Sequence, residues 1–390
     1  MSASRTAAVV DLGGATARGT AIKAIRTRIV DCVTTRRHKL SNTELTHQSF
    51  VIVEATLADG TTGYGEASTL GGPRWSEESV EAIKANIDTY ITPALLEGSA
   101  LDFELNALKM KKAVSRNTSA RAAVEGALYD AAGKSLDLPA TAFLGGTVRE
   151  RIEVLWALAS GDAEQEIEEA QAKLAARLHR RFKIKLGFHE PREDMIRLRR
   201  IMSAMPAGTE MVVDINQGWS EATFIRYAPE LAEMGIALIE QPLKPGLLHA
   251  TARVAQRSPI PIMTDEAAFS TQDLVQNAVA ATGSVYSLKL VKSGGLQEMK
   301  RAAAVASAFG LELYGGCLLE SGIGAAAHLA VFATLPTLEW GCEHFGPSIL
   351  QRDLTKSGII YRDFHIETPK GPGLGITVDT DALDAATRKS

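Results

Sequence analysis

An α/β barrel of the (β/α)8 kind, preceded by a smaller α+β region, is the fold that the sequence predicts. From residue 151 onward, short apolar runs with strand character alternate with amphipathic helical patterns. Each strand–helix unit takes about 25 residues, as in a parallel barrel. Before residue 151, runs with period-2 apolar residues and two helical patterns predict a separate region. A doubly wound open sheet is the structural alternative, because it produces the same alternation of strands and helices.

The first 150 residues predict an extension followed by the α+β region, which spans residues 22–150. Residues 1–21 are rich in small residues, and we expect a loosely ordered extension there. Asp59-Gly60 is a turn signal between two runs of alternating apolar residues, which indicates a hairpin. Ser76 is the predicted N-cap of the first helix, because acidic residues follow it. The predicted elements are strands at 24–33 and 49–67 and helices at 76–96 and 119–136.

The strand–helix series occupies residues 151–345. Strands are predicted at 151–159, 182–187, 210–219, 236–243, 261–268, 284–292 and 311–320. Helices are predicted at 162–179, 193–205, 221–235, 247–257, 271–281, 296–310 and 324–334. Residues 346–390 return to short strands and turns, and we expect them to pack back on the N-terminal region.

The composition excludes several classes of protein. The chain has 390 residues, 45% of them hydrophobic, and a formal net charge of −4. No basic stripe indicates a nucleic-acid partner, and no apolar run approaches the ~20 residues of a membrane helix. Cys32, Cys317 and Cys342 are far apart, which is typical of a reducing cytoplasm rather than a disulfide scaffold.

Charged residues recur where the predicted barrel strands end. The steps from Asp214 to Glu240, Asp265 and Lys289 are 26, 25 and 24 residues, one strand–helix unit each. In a parallel barrel the carboxyl ends of the strands meet at one mouth, so these side chains are expected to converge. A single charge of this kind is as well explained by a strand end facing water. The charged residues at the ends of the predicted barrel strands are Lys183, Lys185, Asp214, Glu240, Asp265, Glu266, Lys289 and Glu320.

Three carboxylates on three adjacent strands suit a hard divalent cation, Mg²⁺ or Mn²⁺. Zinc is less suited, because no His or Cys stands at these strand ends. The lysines fall on either side of the cation in strand order, with Lys183 and Lys185 before it and Lys289 after it. A metal ion and an ammonium group together stabilise the charge that develops when a proton is removed beside a carboxylate.

The pair Lys183 and Lys185 in "KIK" needs its own explanation. Side chains alternate across a strand, so both lysines point to the same side. For a lone K-x-K the ordinary explanation is an edge strand facing water. In a barrel mouth, Lys183 and a nearby dication favour the neutral form of Lys185, which could then move a proton. Lysine with a metal ion is the general pattern of enolase-type chemistry.

The chain resembles the enolase superfamily, specifically its muconate-lactonizing subgroup and, within it, the bacterial muconate cycloisomerase family. The resemblance covers residues 22–379. It rests on these segments: "KIKLG", "VDINQGW", "LIEQPL", "IMTDEA", "SLKLVKSGG", "GCLLESGIG" and "GPGLGITVD". It implies a modified TIM barrel, (β/α)7β, under an α+β capping domain. It also implies a small dicarboxylate substrate, a homo-octamer, and a place in the breakdown of aromatic compounds.

The resemblance implies a role for each matched position. Asp214, Glu240 and Asp265 match the metal ligands. Lys185 matches the general acid/base that interconverts cis,cis-muconate and muconolactone, with Lys183 as its partner, Lys289 on the opposite face and Glu320 as the carboxylate at the last strand. Asn216 and Glu266 are expected to be polar groups that support the site. His38, Leu70 and Trp75 are expected to form part of the wall around the substrate. Leu70 and Trp75 are explained equally well as packing between domains.

Two departures leave the substrate open. Cys317 stands where the family more often has Thr, and Ser321 where Gly is commoner. The alternatives are a chloromuconate cycloisomerase, an N-acylamino acid racemase, a dipeptide epimerase or an o-succinylbenzoate synthase. A barrel that binds metal without activity is the non-enzyme alternative.

Overall fold

The computed structural model describes residues 19–40 and 43–389. The predicted extension, residues 1–21, therefore lies outside the described residues except for its last three. The strands are β1 (Ile22–Leu40), β2 (Thr43–Leu57), β3 (Thr62–Thr69), β4 (Arg151–Glu153), β5 (Trp156–Leu158), β6 (Arg181–Lys185), β7 (Glu210–Asp214), β8 (Leu238–Glu240), β9 (Ile262–Thr264), β10 (Val285–Leu288), β11 (Glu312–Gly315), β12 (Thr355–Ser357), β13 (Tyr361–Arg362), β14 (His365–Glu367) and β15 (Thr377–Val378).

The helices are α1 (Val80–Asn86), α2 (Thr92–Leu95), α3 (Phe103–Ala113), α4 (Thr118–Leu136), α5 (Ala140–Phe143), α6 (Ala163–Ala175), α7 (Pro191–Ala204), α8 (Glu221–Glu233), α9 (Leu248–Arg257), α10 (Thr271–Val279), α11 (Leu290–Ser293), α12 (Leu296–Ala308), α13 (Gly322–Phe332), α14 (Gly346–Ile349) and α15 (Thr380–Ala386). A π-helical turn, Ile87–Ile91, joins α1 to α2. None of the helices in the described ranges is long and apolar enough to cross a membrane.

The N-terminal region is an antiparallel sheet, β1-β2-β3, covered by α4. The Asp59-Gly60 hairpin is confirmed, because β2 ends at Leu57 and β3 begins at Thr62. Helix α4 approaches β3 closely because Gly65 has no side chain. A Cβ at Gly65 would lie 1.9 Å from the carbonyl oxygen of Ala123.

The barrel sheet has seven parallel strands in the order β5 to β11. Residues 341–343 close it between the two edge strands. The Leu155 amide, directly before β5, donates to the Cys342 carbonyl at 2.8 Å, and the Gly315 amide of β11 donates to the Gly341 carbonyl at 2.9 Å. The predicted (β/α)7β barrel is therefore confirmed, and the open-sheet alternative is wrong. A buried interior layer contains Leu155, Val212, Leu238, Met263, Val285 and Tyr314.

The C-terminal segment runs back across both regions. Strand β14 pairs with β4 and with β13 in a small antiparallel sheet. Thr387 forms a bridge with Val30 of β1, and the Arg388 guanidinium is paired with Asp31 at 2.7 Å. These contacts attach the end of the chain to the sheet of the N-terminal region.

Two local predictions are wrong. The first helix is capped by Ser79, whose hydroxyl accepts the Ala82 amide at 3.3 Å, rather than by Ser76. Glu78 explains the shift, because its buried carboxylate accepts the Ser119 amide at 3.0 Å and holds this residue outside the helix. The strand predicted at 284–292 ends at Leu288, and α11 follows because His328 accepts the Leu290 amide at 3.0 Å.

Candidate active site

The register of the parallel strands brings the predicted carboxylates to one edge. Lys185 is the direct partner of Asp214, and Asp214 is the direct partner of Glu240. Glu240 is opposite Met263, two residues before Asp265. All three carboxylates are about 1% exposed. The strand ends therefore place these groups side by side at the mouth of the barrel.

Both lysines of "KIK" lie inside this cluster. The Lys183 ammonium contacts the carboxylates of Glu240 and Glu343, and its side chain is fully buried. Lys185 donates to Oδ2 of Asp214 at 2.6 Å. The explanation by an edge strand facing water is wrong, because both lysines are buried and paired.

Two lysines meet Asp265 from the far side of the cluster. Nζ of Lys289 lies 2.5 Å from Oδ2, and Nζ of Lys292 lies 2.9 Å from Oδ1. Burial acts to raise the pKa of Asp265, but the two ammonium groups outweigh it, and the net pKa is lowered. Lys292 was not among the predicted site residues. Its signal was the position three residues after Lys289, which puts the two on one face of a helical turn.

Asp214 is fixed by the residue that the resemblance marked as polar support. The Asn216 backbone amide donates to Oδ1 at 2.8 Å, and its side-chain amide donates to Oδ2 at 3.1 Å. The same side-chain amide reaches Oε1 of Glu266 at 3.3 Å. Asn216 therefore links two acidic residues whose repulsion would otherwise separate them.

The three carboxylates fit a divalent metal ion. Oε2 of Glu240 and Oδ1 of Asp265 are buried, and their charged partners are the ammonium groups of Lys183 and Lys292. Burial raises the pKa of Glu240, and the negative charges of Asp214 and Asp265 raise it further. Carboxylate oxygens are the ligands that Mg²⁺ and Mn²⁺ prefer, and the three groups come from adjacent strands of the barrel.

The protonation of Lys185 differs from the expectation. Burial and Lys183 act to lower its pKa, but the charge of Asp214 outweighs them and the net pKa is raised. The arrangement of protein groups alone therefore keeps Lys185 charged, because the Asp214 carboxylate lies against its ammonium group.

Glu343 is a further member that the sequence argument missed. It ends the closing segment of the barrel and accepts hydrogen bonds from Lys183, the Tyr314 hydroxyl at 2.9 Å and the Cys317 amide at 3.0 Å. Its signal in the sequence is weak, since Glu343 follows only the three residues "WGC", too few to predict a strand. The predicted place of Glu320 at the last strand is wrong, because Glu320 follows β11 and residues 341–343 close the barrel after it.

Glu320 lies between two histidines in the turn after β11. Nε2 of His328 and Nε2 of His344 are each 3.8 Å from its carboxylate oxygens, and the three ligand atoms lie within 4.8 Å of one another. Both nitrogens of His328 are already used, by the Leu290 amide at 3.0 Å and the Gly324 carbonyl at 2.8 Å. This trio is therefore poorly suited to a second metal ion.

Trp75 and Leu70 lie where the N-terminal region packs against the barrel. The ring of Trp75 has Lys289 Nζ 4.4 Å from its centroid, and the ring of Phe269 is 5.2 Å away. Trp75 also lines a cavity of about 490 Å³ together with Glu266. Leu70 is buried in the apolar cluster that includes Leu45 and Cys317, as expected of packing between regions.

His38 is buried at the end of β1. Its Nδ1 lies 3.4 Å from an Arg36 nitrogen, and burial lowers its pKa well below the usual value. Lys185 and Lys183 lower the pKa of His38 further. His38 is therefore within electrostatic reach of the lysine pair.

The fold and the site define an enolase-type barrel enzyme, and the chain belongs to the mandelate racemase / muconate lactonizing enzyme family. The family's N-terminal domain model matches residues 24–145, and the enolase C-terminal domain-like model matches residues 165–382. Enzymes of this family bind a divalent metal ion.

Relatives are similar over most of the chain. Chloromuconate cycloisomerase CbnB of Cupriavidus necator is 40% identical, covering 94% of this chain and 99% of its own length. Muconate cycloisomerase 1 of Pseudomonas putida is 41% identical, covering 90% of this chain and 94% of its own. The crystal structure of the muconate lactonizing enzyme from Pseudomonas fluorescens complexed with muconolactone has a TM-score of 0.93 and 40% identity, covering 95% of this chain and all of that one.

Proposed function

We propose that this protein is a muconate cycloisomerase that interconverts cis,cis-muconate and muconolactone. One observation carries the proposal: three buried carboxylates from adjacent barrel strands lie between the Lys183–Lys185 pair and Lys289. The muconate and chloromuconate cycloisomerases that resemble the chain across 90% or more of its length support the choice of a dicarboxylate substrate.

Asp214, Glu240 and Asp265 would hold the metal ion, Mn²⁺ or Mg²⁺, through oxygen atoms alone. When bound, the ion supplies positive charge that stabilises the negative charge developing on the substrate carboxylate. Asn216 keeps the Asp214 carboxylate oriented through two hydrogen bonds. Glu266, which follows β9, accepts a hydrogen bond from the Asn216 side-chain amide.

The lysines transfer the proton and stabilise the negative charge that develops on the substrate. Lys185 delivers or removes the proton on the carbon beside the carboxylate, and Lys183 holds positive charge next to it. Lys289, on the opposite wall, stabilises charge on the other face of the substrate, and Glu320 completes the rim. His38, Leu70 and Trp75 would enclose the substrate from the capping side and exclude water.

The test is the loss of the ultraviolet absorbance of cis,cis-muconate. The wild-type protein with Mn²⁺ should consume muconate, and a Lys185→Ala variant should not. Chloromuconates and N-acylated amino acids, assayed in parallel with both metals, define the substrate range. If the wild type leaves muconate untouched but exchanges α-protons of N-acylated amino acids in D₂O, the proposal is wrong and a racemase or epimerase is favoured.

We also propose domain limits and an assembly. The capping domain would span 22–150, the barrel 151–345 and the returning segment 346–390, which is supported by the matches at 24–145 and 165–382. A cytoplasmic homo-octamer follows from the resemblance. Sedimentation velocity on the purified protein would decide the assembly, since a monomer and an octamer differ eightfold in mass.

A further inference from the structure

The turn that carries Glu320 is held by two side chains of the N-terminal sheet. The Gln48 side-chain amide, on β2, donates to the Leu318 carbonyl at 2.7 Å. Glu66, on β3, accepts the Ser321 backbone amide at 3.0 Å and also the Ser321 hydroxyl. Gln48 and Ser321 are fully buried, and Glu66 is 8% exposed. Buried hydrogen bonds to Gln48 and Glu66 therefore hold the turn Gly316–Ser321 in place on either side of Glu320.

The turn needs such support because its backbone is strained. Leu319 has φ of +56°, a left-handed conformation that costs free energy for a branched residue. Such a conformation persists only when the surroundings fix it. The next residues are fixed by the same carboxylate, since Glu66 also accepts the Gly324 amide at 3.3 Å at the start of α13.

Ser321 links Glu66 to helix α13. Its hydroxyl accepts the Ile323 amide at 3.2 Å and so caps α13, while it donates to Glu66. On the other side, the Gly346 backbone packs on the Glu320 carbonyl so closely that a Cβ there would lie 2.1 Å from it. The position of Glu320 is thus set by contacts from outside the barrel as well as inside.

We propose that Glu66 is a positioning residue for the reaction: through Ser321 it holds the strained turn that places Glu320 at the barrel mouth. The capping domain then fixes part of the barrel's working geometry. This inference rests on the proposed function for the role of Glu320. That Glu66 holds the turn in place does not depend on that function.

Amide hydrogen exchange measures how firmly Glu66 holds the turn, independently of enzyme activity. In a Glu66→Ala variant, amides of Gly316–Ser321 should exchange about tenfold faster than in the wild type, because buried hydrogen bonds are lost. The matched control is Glu125→Ala, since Glu125 is also a buried carboxylate of the N-terminal region that accepts an amide of a barrel helix, Gln297 at 3.1 Å. Unchanged exchange in the turn of Glu66→Ala would overturn the inference.

Double-mutant kinetics measure the consequence for catalysis. Glu66→Ala should lower kcat roughly tenfold to a hundredfold with little change in KM, because a misplaced group acts on the reaction step. Combined with Glu320→Gln, it should cause little further loss, whereas Glu125→Ala with Glu320→Gln should be additive. Additive losses for Glu66 and Glu320 would overturn the positioning role.

Two further outcomes are decisive. If Glu66→Ala does not fold, Ser321→Ala removes the hydroxyl that donates to Glu66 and caps α13. The same faster exchange and the same non-additivity with Glu320→Gln are then expected at smaller amplitude. If the wild type does not convert muconate, the proposed function fails, and the exchange rates alone decide whether Glu66 holds the turn.

Discussion

Lys185 and Asp214 are direct partners on neighbouring parallel strands, and Nζ of the lysine lies 2.6 Å from Oδ2 of the aspartate. The proposed acid/base and a proposed metal ligand are therefore held together by the sheet itself. Replacement of either group disturbs the charge of the other, so a variant that keeps the charge is the more informative one.

Lys185→Arg should preserve the ion pair with Asp214 and abolish conversion of muconate. Arginine stays charged in proteins, so it cannot accept the proton. We expect a loss of at least about a hundredfold in kcat, with the unfolding midpoint nearly unchanged. Lys173→Arg, a half-buried lysine whose Nζ is 3.5 Å from the Trp156 ring centroid, is the control that should stay active. Substantial activity in Lys185→Arg would contradict the proposed proton transfer.

Mn²⁺ should stabilise the protein against thermal unfolding. A ligand at a hundred times its Kd adds about 2.7 kcal/mol to the free energy of unfolding. Asp265→Asn should remove most of this gain, because one of three charged oxygen ligands is lost. Differential scanning calorimetry with and without EDTA measures it, and Glu78→Gln, a buried carboxylate of the N-terminal region, serves as control. An equal gain in Asp265→Asn would count against the assignment of this ligand.

Glu343→Gln should lower both stability and activity. The Lys183 ammonium keeps Glu240 but loses the second negative charge, and the Tyr314 hydroxyl keeps an acceptor. We expect a decrease of about 1–3 kcal/mol in the free energy of unfolding, measured with urea. Tyr314→Phe, which leaves the ion pair intact, should cost only about 1 kcal/mol. If the two variants cost the same, the ion pair contributes no more than the hydroxyl does.

Stability should fall as the pH rises from 5 to 8, in part because of Glu125. Burial raises the pKa of Glu125 to about 7, above the ordinary 4.5. The folded state then binds more protons than the unfolded state between these two values, so raising the pH through that window lowers the free energy of unfolding.

The Glu125 contribution is up to roughly 3 kcal/mol. Glu125→Gln should therefore lose less stability than the wild type between pH 5 and pH 8 in urea titrations. Glu164→Gln, on an exposed side chain, should follow the wild-type curve. Parallel curves for Glu125→Gln and the wild type would show that this carboxyl does not titrate as described.

The barrel and the cluster of strand-end carboxylates and lysines were both predictable from the sequence alone. Strand and helix periodicities are local properties, and the polar ends of parallel strands must meet at one edge whatever the details of packing. Asp214, Glu240, Asp265, Lys185 and Lys289 each end or directly follow an apolar run, so their meeting followed from the topology alone.

Contacts between segments that are distant in the chain could be identified only in the folded molecule. The closing segment is too short to be predicted as a strand. Glu343 was therefore recognised as a site residue only from the hydrogen bonds that join residues 341–343 to both edges of the barrel. The pairing of Glu66 with Ser321 joins residues 255 positions apart, and Lys292 reaches Asp265 because a short helix interrupts the predicted strand. Such contacts depend on how rigid elements dock in three dimensions, and no local pattern of residues encodes that.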